Sequence, residues 1–138
     1  MLPQLFVRLP ETLVHDIVYS DLDCDIKKHD ALITLMYRDS EAHGLWTNEL
    51  FPYKMEFMSE NRGTVYERQA DTGTYNVVCL PLEKFWNHDH PLSHRFPDTF
   101  NERTEVQIKH DGFIIKVYNY KGQWHVSTNS EVDASKVK

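Results

Sequence analysis

Glu105-Val106-Gln107-Ile108-Lys109-His110-Asp111-Gly112-Phe113-Ile114-Ile115-Lys116-Val117-Tyr118 is the stretch on which the reading of this chain turns. Glu105 to Lys109 predicts a short strand and Phe113 to Tyr118 a second, both carrying the β-branched residues that suit a pleated surface. Between them Lys109, Asp111 and Gly112 stand in the spacing Lys-x-Asp-Gly. A lysine is protonated, and a poor nucleophile, unless burial or neighbouring cations lower its pKa. A glycine beside it lets backbone approach a ligand where a Cβ would clash. Asp-Gly between two strands is also the commonest hairpin turn. On these four residues alone the plain hairpin is the stronger reading.

Downstream, Tyr120-Lys121-Gly122 predicts a turn and Gln123 to Thr128 a further strand, followed by a polar tail. Upstream, Arg62-Gly63-Thr64-Val65-Tyr66-Glu67 predicts a strand entered through a glycine, and Tyr75 to Leu80 its partner across an Asp71-Thr72-Gly73 turn. Pro81 ends that partner, and Leu82-Glu83-Lys84-Phe85-Trp86-Asn87 follows directly. The loop with His88, His90 and His94 holds histidines at spacings that could share a metal. With Pro91 and Pro97 around them and no cysteine near, they read as surface histidines.

Nearer the start, Ala31 to Tyr37 predicts a strand. From Arg38 to Glu60 the pattern is irregular, and Pro52 argues against one continuous helix. Pro10-Glu11-Thr12 opens an expected helix with Leu13, Val14, Ile17 and Val18 on one face, ended by turn residues from Ser20 to Asp25. The expected class is α+β, one domain of mainly antiparallel sheet with an amino-terminal helix.

With 138 residues, 41% of them apolar and 26% charged, the chain can bury a core without staples. No run reaches membrane-spanning length, and the first residues lack a secretory pattern. Cys24 and Cys79 match no metal or redox spacing and read as free thiols, which favours the cytoplasm. The net charge of −6 excludes a whole-surface grip on nucleic acid, so any polyanion site must gather separated cations by folding.

Three fragments acquire further meaning from their order. The Arg62-Gly63 strand, Pro81-Leu82-Glu83-Lys84-Phe85-Trp86-Asn87 and Lys109-His110-Asp111-Gly112 together resemble the amino-terminal half of the adenylyltransferase domain of the bacteriophage tRNA-repair RNA ligases, the RNA ligase 1 family. That family belongs to the covalent nucleotidyltransferases, and the likeness covers about residues 30–130. It implies a partial nucleotidyltransferase fold and an ATP- and Mg2+-dependent reaction in the cytoplasm of a host cell. By that resemblance Lys109 attacks the α-phosphorus of ATP and becomes adenylylated, Asp111 holds the lysine and metal-bound water, and Gly112 lets backbone pass the nucleotide. Arg62 and Lys84 meet the triphosphate, and Trp86 keeps an aromatic where the family has Phe. No protein-built metal site is implied. RNA ends, those of tRNA included, are the implied partners.

The departures are specific. Asn129 stands where the family carries a basic residue, and no stretch of the sequence reads as the family's later adenine-stacking aromatic, Glu-Gly strand or Lys-x-Lys strand. The expectation is therefore the first part of such an enzyme, with open strand edges that favour self-association or a second chain carrying the missing motifs. The alternative is an inactive relative that binds nucleotide, RNA or a protein. A coincidental hairpin, by contrast, would leave Lys109, Arg62 and Lys84 scattered.

Overall fold

A computed structural model describes residues 24–37, 60–88, 90, 93 and 100–137. Six strands make up nearly all its regular structure: β1 (Cys24–His29), β2 (Leu32–Tyr37), β3 (Arg62–Arg68), β4 (Tyr75–Cys79), β5 (Ile115–Tyr120) and β6 (Gln123–Thr128). A short 3-10 turn, Ala134–Lys136, follows. The first four strands form one antiparallel sheet in sequence order, and β5 and β6 form a separate hairpin.

This corrects the α+β expectation. Among the described residues the regular structure is antiparallel strand with that single 3-10 turn and no longer helix. The helix expected over residues 10–18 lies outside the described residues, as does most of 38–60. Cys24 and Asp25, read as the end of a turn, open β1 instead. Every residue of β1 finds a partner on β2, and Asp30 takes φ +53° to close the connection. That ladder outweighs the weak strand propensity of Lys27 and Lys28.

The strand expected over Glu105 to Lys109 is also absent, and β5 starts at Ile115 rather than Phe113. Turn geometry explains the choice. Lys121 and Gly122 have φ +51° and +80°, the backbone that matches the twist of a two-residue hairpin, and they pair β5 with β6 over all six positions. At Asp111-Gly112 only the glycine has positive φ. The hairpin forms one turn later than the motif suggested.

The core lies between the two sheets. Leu32, Val65, Tyr118 and Val132 pack together, with Val78, Cys79 and Tyr120 against them. Each fully buried aliphatic side chain stabilises by about 1.5–3 kcal/mol relative to exposure. The hairpin turns Lys116, Tyr118 and Tyr120 inward and leaves Ile115 and Val117 exposed. At its tip, Tyr120 donates a hydrogen bond to Glu67 Oε1 at 2.6 Å, and Lys121 Nζ lies 2.7 Å from the same oxygen.

Candidate functional site

The site begins with an irregularity in a strand. Leu35 faces Thr64 and Met36 faces Arg62, so Gly63 is an extra residue on β3. Such a bulge re-aims the neighbouring side chain. Gly63 has φ +94°, and a Cβ there would lie 2.5 Å from the Cα and carbonyl oxygen of Asn129. Only glycine permits both the conformation and the approach. The positions on either side of the bulge are firmly held. Buried Tyr66 donates to Asn61 Oδ1 at 2.7 Å, and Thr64 Oγ1 donates to the Glu60 carbonyl at 2.6 Å.

Arg62 thereby lines an open cleft of about 450 Å³. Its Nη1 donates to the Glu83 carbonyl at 3.4 Å, and its guanidinium lies 5.8 Å from the Phe85 ring centroid. Lys109, Gly112 and Phe113 line the same cleft, as do Asn129 and Ser130 from the turn after β6. That turn is closed by Thr128 N–H donating to the Glu131 carbonyl at 3.0 Å and Glu131 N–H donating to Thr128 Oγ1 at 3.1 Å. Gly112 has φ +149° with open space where its Cβ would be, so its requirement is conformational.

The residues singled out from sequence thus separate into two groups. Arg62 and the Lys109–Gly112 motif, nearly fifty residues apart, line the same cleft. Lys84 and Trp86 are off the lining: Lys84 Nζ donates to Tyr37 OH at 3.2 Å and lies 4.7 Å from the Trp86 ring, which stacks on His90 at 4.0 Å. Asp111 also stays off the lining, fully exposed, with Oδ1 3.6 Å from Lys109 Nζ. Lys109 is itself 68% exposed, so the motif lies at the rim rather than in a closed pocket.

Two buried polar atoms on this wall have no hydrogen-bond partner, Arg62 Nε and Asn129 Oδ1. Unpaired buried polar atoms are costly, and they mark where a polar ligand or a small rearrangement would be favoured. A donor fork, an ammonium and an apolar side of Leu82, Phe85 and Phe113 suit a phosphorylated nucleotide. Among the described residues no group of three or more His, Cys, Asp and Glu could hold a metal. Asp111, beside Lys109 at the rim, is the carboxylate nearest this wall that the sequence reading singled out.

Sequence reasoning missed Lys116. Its side chain is 7% exposed, and its Nζ donates to the Gly63 carbonyl. Burying an ammonium costs several kcal/mol, whereas one hydrogen bond returns about 1.5–3 kcal/mol. Desolvation wins, and the amine is pushed down to about 8, with Cys79 opposing the shift. The available signal was strand alternation, since Lys116 shares a face with Tyr118 and Tyr120. Ile115 and Val117 on the other face are the more apolar set, yet they are exposed.

Comparison with family models, with curated proteins and with solved structures returns no match for this chain.

Proposed function

We propose that this chain is the amino-terminal portion of an ATP-dependent RNA ligase that forms a covalent lysyl-AMP and seals RNA 5′-phosphate to 3′-hydroxyl ends, as in tRNA repair. One observation carries the reading: Arg62 and the Lys109–Gly112 motif, distant in sequence, meet on one cleft beside unpaired Arg62 Nε and Asn129 Oδ1. Lys84, the third cation expected there, lies off the lining, so the reading rests on Arg62 and Lys109.

Lys109 Nζ attacks the α-phosphorus of ATP, forming the N–P bond as the bond to pyrophosphate breaks. Attack requires that the ammonium first give its proton to solvent. Arg62 offers a planar fork to the departing phosphates, while Lys84, expected beside it, is turned toward Tyr37 and Trp86. Mg2+, when bound, neutralises charge on the phosphate oxygens. AMP then passes to an RNA 5′-phosphate and is displaced by a 3′-hydroxyl.

A second reading is favoured by the exposure of Lys109 and Asp111 and by Asn129 in place of a cation. It makes the chain a catalytically inactive relative that binds nucleotide, RNA or a protein partner. No helix among the described residues is long and apolar enough to cross a membrane. We assign the chain to the cytoplasm, of the host cell for a phage protein, because Cys24 and Cys79 are both free.

Intact mass after incubation with ATP and Mg2+ separates the readings. The ligase reading expects a gain of one AMP, absent in Lys109→Ala. An unchanged wild-type mass alongside measurable ATP binding would instead select the binding-only relative.

A further inference from the structure

We infer that Lys116 is a buried positioning residue of the cleft, holding the Gly63 bulge against the Asn129 turn and supplying the interior positive charge that favours a polyphosphate there. The inference rests on the nucleotide reading of the cleft and extends it to a residue outside the Lys-x-Asp-Gly motif.

Geometry carries it. Lys116 lies on the inward face of β5, opposite Ser127 of β6, and its amine bonds the carbonyl of the one bulged residue next to Arg62. A Cβ on Gly63 would lie 2.7 Å from that amine and 2.5 Å from Asn129 Cα, so bulge, amine and turn form one contact. Arg62 and Asn129, on either side of this contact, both line the cleft, and each keeps an unpaired buried atom. Among the described residues Lys116 has no carboxylate partner; its polar contact is a neutral carbonyl. A buried cation without a counter-charge is expensive, and an anion in the adjoining cleft supplies that counter-charge.

The groups around it are few. From β4 the Cys79 thiol faces it, itself raised by burial, and from β3 comes the Gly63 carbonyl. From β6 it meets neutral Ser127, and along its own strand Tyr118, whose phenol burial also raises. Asp133 acts on Tyr118 rather than on Lys116. The lysine is thus the member of the group that titrates first as pH rises. Polyphosphate binding should weaken as pH climbs through about 8, because the free protein loses the favourable charge there. Above that pH, binding should draw a proton in.

The test is calorimetric titration with inorganic tripolyphosphate and with ATP between pH 7 and 9.5. Wild-type affinity for both should fall about tenfold per pH unit in the upper part of the range, with proton uptake. Lys116→Gln, which keeps a donor for Gly63 but no charge, should bind about tenfold more weakly at pH 7 and show a flat profile. Cys79→Ser should retain the wild-type profile, as it leaves the amine in place. A Lys116→Gln protein with wild-type affinity and wild-type pH dependence would overturn the inference, even with normal AMP transfer to Lys109. Absence of tripolyphosphate binding to the wild type at every pH would overturn it too. Conversely, the expected profile without any lysyl-AMP would retire the ligase reading and leave Lys116 its role.

Discussion

Gly63 and Lys116 show how two side chains, one absent and one buried, set the shape of the cleft. Replacing Gly63 with Ala forces an unfavourable φ and drives a methyl into the Asn129 backbone at 2.5 Å. Backbone cannot yield as a flexible side chain does, so Gly63→Ala should lose about 2–4 kcal/mol in a denaturant melt. A loss below half a kcal/mol would mean that the bulge is not held as described. Lys116 predicts a pH dependence of stability. The folded protein releases its proton near 8, the unfolded chain only near 10.5. Between those values the unfolded state binds more protons, so stability rises with pH, by at most about 3 kcal/mol. Below pH 8 both states are protonated and the full desolvation penalty applies. Melts from pH 7 to 9.5 on a Cys79→Ser background remove the opposing slope of the thiol, which burial raises, and stay below the range where Tyr66, Tyr118 and Tyr120, also raised by burial, dominate. The rising slope should vanish in Lys116→Met; a slope surviving that substitution would assign it to another group.

At the scale of elements, the β5–β6 hairpin is fastened to β3 by Glu67, which accepts from Tyr120 and pairs with Lys121. Those contacts, Lys121 foremost, hold the Glu67 carboxyl below its ordinary range. Its contribution is therefore present above that range and lost as pH falls through the depressed folded value. Tyr120→Phe should cost about 1 kcal/mol and shift the acid unfolding midpoint upward. An unchanged acid midpoint would show that the hairpin is held by its apolar contacts alone. Sequence pattern reached β2, β3, β4 and β6 because each combines β-branched residues with a turn of recognisable chemistry. It missed β1, where Lys27 and Lys28 hide a strand whose pairing is supplied wholly by β2. It paired Glu105 to Lys109 with the next strand because Asp-Gly is a good turn, while Lys121-Gly122 is a better one in this chain. Of the site, Arg62, Lys109 and Gly112 were legible through motif order. Lys116 and the Gly63–Asn129 contact were not, since both depend on how two separate sheets meet.

For the molecule as a whole, the outer face of the hairpin is the feature most at odds with an isolated chain. Val117 pairs with Val126, and Ile115 and Trp124 share that face; Trp124 is 74% exposed. Among the described residues β5 and β6 pair as strands with each other and with no third strand. A two-stranded ribbon with a bare apolar face recruits a partner, because apolar area removed from water is favourable and open edges offer unpaired N–H and C=O groups. We therefore expect the 138-residue chain to self-associate at micromolar concentration, or to accept a second chain that carries further strands. Sedimentation velocity should give a species heavier than the monomer, and an apolar dye should brighten on binding. Trp124→Ser combined with Val126→Thr should weaken both signals while leaving the cleft intact, since neither residue lines it. A wild-type monomer that binds no dye would reject the interface. If instead the double variant remained associated, the open edges rather than the apolar face would be what joins the chains.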